Sequence, residues 1–91
     1  MKLPTYISLV KFRTKPTKET IKKNLDSMEE EKKRGITYKG IYWTLGRCDA
    51  VVIADAPDEK TFMRGIIARS EWMHSETMVG IPAEEARKLV D

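Results

Sequence analysis

His74 is the only histidine in the sequence, and Glu76 follows two residues later. On an extended strand that spacing turns both side chains to one face. A carboxylate beside an imidazole can orient it as a base, so this pair is the candidate catalytic element. Nothing else in the chain completes a catalytic set around it, and a surface or interface pair on a strand is the plainer reading.

A second group lies in one turn. Arg47, Cys48 and Asp49 follow Gly46 between two apolar runs. A cation next to a thiol can lower its pKa and make it reactive, although no base accompanies Cys48. Arg47 can take a carboxylate or another anion, while Asp49 can hold the backbone of the turn. Tyr6, Tyr42, Trp43 and Trp72 combine apolar rings with polar tips, as pockets and interfaces do; core packing is their plainer role. Tyr6, Tyr42, Arg47, Cys48 and Asp49 form the candidate ligand-binding set.

Several chemistries are not expected. There is no phosphate-binding glycine loop, no dinucleotide fingerprint and no metal-ligand cluster, so no cofactor and no metal is expected. One cysteine forms no internal disulfide, which suits a reducing compartment. The opening residues lack an apolar signal-peptide core, and no run approaches the roughly 20 apolar residues of a membrane span. A cytoplasmic protein without membrane partners is the expectation. Net charge is +3. Residues 1–39 hold eleven Lys/Arg against five Asp/Glu, and residues 40–91 six against nine. The basic first half could draw nucleic acid, but a solvated helix face accounts for it as well.

The elements that must position these residues follow from periodicity. Residues 5–12 are short, β-branched and aromatic, so they read as a strand. Its alternation puts Ile7 and Leu9 on one face and Tyr6, Ser8, Val10 and Phe12 on the other. Thr17 caps a helix running to about Arg34, with Ile21, Leu25 and Met28 as its apolar stripe and Gly35 as its stop. Residues 36–45 form a second strand, with Ile41, Trp43 and Leu45 facing one way. Residues 50–54 form a third, apolar enough to be covered on both sides. Asp58 or Asp55 starts a second helix with Phe62, Met63, Ile66 and Ile67 inward. Residues 72–79 form a last strand and residues 82–90 a short helix. The order β-α-β-β-α-β defines an α+β ferredoxin-like sandwich in one domain spanning 1–91: a four-stranded antiparallel sheet with two helices on one face. The uncovered face, expected to carry Tyr6, Ser8, Val10 and Phe12, is then too apolar to stand bare.

The opening strand, the hairpin Tyr42-Trp43-Thr44-Leu45-Gly46-Arg47-Cys48-Asp49, the run Val51-Val52-Ile53, the break Ala56-Pro57-Asp58 and Ser75-Glu76-Thr77-Met78 together resemble the GYD domain proteins over about residues 5–80. These are small bacterial and archaeal proteins named for a Gly-x-Tyr-Asp-type hairpin. The resemblance implies a dimeric α/β-barrel arrangement, in which two sheets face each other across a two-fold axis, and no particular reaction. Cys48 stands where the family motif has tyrosine, so a ligand touched by that tyrosine would differ here.

The function expected from these readings is a homodimer or larger homo-oligomer that binds a small organic molecule or acts as an interaction module. One alternative is a cofactor-independent enzyme of the dimeric-barrel kind, which needs His74 to face a cavity. Another is an RNA- or DNA-binding module. Lys39-Gly40-Ile41-Tyr42-Trp43-Thr44 faintly matches a basic-Gly-aromatic RNA signature, but on the second strand rather than the third, and nucleic acid is the least favoured partner.

Overall fold

A computed structural model describes residues 3–90 of the chain. The elements are β1 (Thr5–Phe12), α1 (Lys18–Lys33), β2 (Thr37–Trp43), β3 (Ala50–Asp55), α2 (Glu59–Ala68), β4 (Met73–Gly80) and α3 (Ala83–Arg87). All strand pairings are antiparallel, in the order β2-β3-β1-β4. The expected ferredoxin-like α+β sandwich is therefore the fold. Among the described residues, no helix is long and apolar enough to cross a membrane.

Local chemistry sets the boundaries. Thr17 accepts a hydrogen bond from the Thr20 amide, and the Thr20 hydroxyl takes the Thr17 amide in return, closing a capping box on α1. Gly35 ends that helix at φ 99°, and a Cβ there would press on the Pro57 ring. Asp58 caps α2 through the Thr61 amide at 2.8 Å. A register shift between Tyr38 and Gly40 kinks β2.

Strand register decides which side chains the helices cover. Tyr6 pairs with Ala54, Ser8 with Val52 and Val10 with Ala50. Tyr6, Ser8, Val10, Ala50 and Ala54 are buried. Tyr6, Ala54 and Phe62 of α2 belong to one buried cluster with Ile36 and Ala56. Tyr6, Ser8, Val10 and Phe12 thus point at the helices, which overturns the expected assignment to the uncovered face. The alternation was right, but period-2 alternation cannot say which side the helices take, and inverting it moves every side chain. The uncovered face carries Ile7 and Leu9 of β1, Val51 and Ile53 of β3 and Met78 of β4 instead.

The helix stripes hold in part, with Met28, Phe62 and Ile66 inward as expected. On α1, Thr20, Asn24, Met28 and Glu31 are at least partly covered, whereas Ile21 and Leu25 are exposed. On α2, Phe62 and Gly65 are buried and Met63 and Ile67 are exposed. Leu45 lies beyond the end of β2 and is fully exposed, and Leu89 and Val90 follow α3 into solvent.

Candidate functional site

The space between helices and sheet runs from the Phe62 ring to the far end of the sheet. At the Tyr6 end, the Tyr6 and Phe62 rings stack with centroids 4.7 Å apart and planes 10° from parallel. From Ile36 and Phe62 to the other end, where β1 and β2 finish and β3 and β4 begin, the layers hold a cavity of about 100 Å³. Its sheet wall includes Phe12, Trp43 and Val52, and its helix wall includes Met28 and Ile66. Trp72, just before β4, also lines it. Phe12 meets Trp43 edge-on at 5.2 Å. Trp43 is nevertheless 62% exposed, so this end opens to solvent.

A polar network closes the cavity between the two helices. The Arg69 guanidinium donates from Nη1 to Glu31 Oε2 and from Nη2 to Glu31 Oε1, both at 2.7 Å. Its Nε donates to Asn24 Oδ1 at 2.7 Å, and Nη1 also donates to the Gly65 carbonyl at 2.9 Å. Tyr38 of β2 donates its hydroxyl to Glu31 Oε1 at 2.5 Å. One arginine therefore ties α1 to α2, and one tyrosine ties the pair to the sheet. The two-pronged geometry is the strong form of a guanidinium–carboxylate contact.

Position shifts the titration of these groups. Burial pushes the Glu31 carboxyl up, but the Arg69 and Tyr38 hydrogen bonds and the nearby cations outweigh it, leaving Glu31 below its ordinary value. Burial and then the Glu31 carboxylate push the Tyr38 phenol up, so it stays a neutral donor. Burial opposes the charge on Arg69, and the Glu31 hydrogen bonds more than restore it. Gly65 makes the contact possible, because a Cβ there would run into Glu31 Oε2.

The residues singled out from sequence sit elsewhere. His74 and Glu76 do share a face, as their spacing requires, but it is the uncovered sheet face, and both are exposed. No hydrogen bond joins them among the described residues, and neither lines the cavity. His74 is therefore not placed to act as a base in it. Tyr42 is exposed on that same outer face, with its ring over Gly40. Tyr6 is 3% exposed in the tight end, and its hydroxyl has no hydrogen-bond partner among the described residues. Burial raises its pKa, with Glu59 and Asp58 adding to the effect.

The hairpin residues hold the turn. Asp49 Oδ2 accepts the Phe12 amide at 2.8 Å, and the Asp49 amide donates to the Val10 carbonyl at 2.7 Å. Thr44 donates its hydroxyl to the Cys48 carbonyl at 2.7 Å. Arg47 is exposed, and Gly46 takes φ 106° to complete the turn. Asp49 thus fixes the end of β1 next to Phe12, supporting the cavity wall without reaching into the cavity.

Sequence reasoning missed Glu31, Arg69, Asn24 and Tyr38. A signal for two of them was present: Glu31 lies three residues after Met28, and Arg69 three after Ile66, so each charge extends a line of inward-facing positions. Trp43 and Trp72, weighed as binding aromatics, do line the cavity. Among the described residues, no three His, Cys, Asp or Glu side chains group to hold a metal ion.

The fold and this half-open interface define a ferredoxin-like domain with an internal cavity and a polar clasp between its helices. The GYD domain family model matches residues 6–90, and the chain belongs to that family. No curated protein matches the chain.

Proposed function

We propose that this chain is a homo-oligomeric small-molecule-binding module, with its ligand held between the sheet and the helices. The cavity at the Trp43 end carries this reading. Protein interiors are normally packed to near-crystalline density, and here an aromatic-walled space is left open beside a fully satisfied polar clasp.

Self-association accounts for the other side of the sheet. Ile7, Leu9, Val51, Ile53 and Met78 lie together on the sheet face opposite α1 and α2. Lys11, His74 and Glu76 share that surface, so a two-fold mate can set acid against base. The two central strands present aliphatic side chains there, not the aromatic platform on which nucleic-acid bases stack. No reaction is assigned, because the sole histidine lies across the sheet from the cavity.

Light scattering coupled to gel filtration tests the assembly. At micromolar concentration the mass should be that of two or more chains, and Leu9→Lys should shift it toward one chain. A wild-type mass of one chain rules out the proposed cover for the sheet.

A further inference from the structure

Given the ligand cavity proposed above, we infer that its occupant is an uncharged, single-ring aromatic molecule carrying one hydrogen-bonding substituent. Size comes first. A dry cavity of about 150 Å³ lined by apolar side chains accommodates benzene. The present space, about 100 Å³ with one open side, suits a single ring whose substituent or edge reaches the mouth. A fused polycycle would have to displace the Phe12–Trp43 pair.

The walls select the shape. Phe12, Trp43 and Trp72 supply aromatic surface, and Met28 and Met73 supply thioethers. Rings pack on aromatic faces and edges with a preference beyond plain area burial, and methionine sulfur adds favourable contacts with ring edges.

The clasp selects the charge. Arg69 and Glu31 are the charged side chains of the cavity lining, and they neutralise each other through two 2.7 Å hydrogen bonds. An anionic ligand would have to take Arg69 from Glu31 and leave a carboxylate buried at 6% exposure. A cationic ligand would have to take Glu31 and strand the guanidinium. Either exchange leaves one buried charge unpaired, which costs far more than the new contact returns.

The remaining polar capacity selects the substituent. Arg69 has no donor to spare: its guanidinium serves Glu31, Asn24 and the Gly65 carbonyl and also engages the Tyr38 hydroxyl. Ser8, buried on the sheet wall, shares one hydrogen bond with Thr77 at 2.8 Å and retains further capacity. A phenol, benzyl alcohol or benzaldehyde matches that supply.

Tryptophan fluorescence of the intact protein, titrated at pH 7 with phenol, benzyl alcohol, benzoate and benzylammonium, tests the assignment. The two neutral rings should give saturable changes, and the two charged rings should bind at least about tenfold more weakly, given the cost of opening a buried ion pair. Val52→Phe, which fills the cavity, should abolish the response, while Tyr42→Ala on the opposite sheet face should leave it intact. Benzoate or benzylammonium binding as tightly as phenol overturns the ligand class and leaves the cavity reading standing. A folded protein that responds to none of the four overturns both.

Discussion

The two ends of the helix–sheet interface use similar residues to opposite effect. At the tight end, Tyr6 lies flat on Phe62 in a buried cluster with Ile36, Ala54 and Ala56, and Phe62 and Ile36 form the inner edge of the cavity. At the open end, Phe12 meets Trp43 edge-on, and the cavity remains beside them. The difference lies in what the helices bring. Over the tight end, α2 supplies Phe62 and the chain turns back through Ile36. Over the open end, α1 offers Met28 and the edge of Ile21, but the covered positions between them are Thr20 and Asn24, too small or too polar to fill an apolar space. Between the ends, Glu31 and Arg69 hold α1 and α2 at a spacing the apolar contacts do not set. The close ring stacking is thus at one end, and the cavity extends to the other.

The clasp carries the largest expected effect. Arg69→Met leaves Glu31 buried with only Tyr38 as a partner, and removing one half of a buried pair costs about 3–5 kcal/mol. Chemical denaturation with a linear extrapolation reads this directly. The double change Glu31→Met with Arg69→Met should cost clearly less than Arg69→Met alone, since no charge is then left unpaired. Equal losses in the single and double variants would mean that the clasp contributes through packing and not through charge.

The next effect compares the ends themselves. Phe62→Ala removes a buried ring from a closed contact and should cost about 3 kcal/mol or more. Trp43→Ala removes a larger ring that is mostly in solvent, and should cost about 1 kcal/mol. The same urea titration on both variants decides the matter. A greater loss for Trp43 would show that the open end closes in solution.

Much of this frame was legible from periodicity and turn chemistry. The element order followed from β-branched runs broken by Gly35, Gly46 and Asp58, and Thr17 and Asp58, the latter weighed against Asp55, were read as cap candidates. What failed was orientation. Ile7 and Leu9 alternate with Tyr6, Ser8 and Val10, and either set could have faced the helices. The buried set includes a serine and a tyrosine, less apolar by type than the set left outside. The α1 stripe held only in part: Met28 and the edge of Ile21 line the cavity, but Leu25 is exposed, and Asn24 and Glu31 take inward positions because Arg69 is there to receive them. That partner lies 38 residues from Glu31 and 45 from Asn24, beyond the reach of any local pattern. His74 and Cys48 drew attention by residue type, whereas the clasp is built from residue types that usually cover surfaces.

The smallest effect is in pH, and it distinguishes a charge clasp from a merely buried contact. Glu31 is held below its ordinary value of 4.5 in the folded chain. Its contribution is therefore fully present above about pH 4.5 and is lost as pH falls through the lower folded value. In Arg69→Met the strongest lowering partner is gone, so burial, the largest single influence and one that pushes the carboxyl up, is opposed only by the Tyr38 hydrogen bond and Arg34. Protonating Glu31 then relieves the variant of a buried charge, so acid removes part of its penalty. The other carboxylates titrate in both proteins and largely cancel in the difference. The stability gap between wild type and Arg69→Met should accordingly be widest near pH 7 and narrow steadily toward pH 3, as read from paired urea titrations. A gap that stays constant over that range would place the value of Arg69 in its aliphatic stem and not in its charge, and would remove the reason for the cavity to prefer a neutral ring.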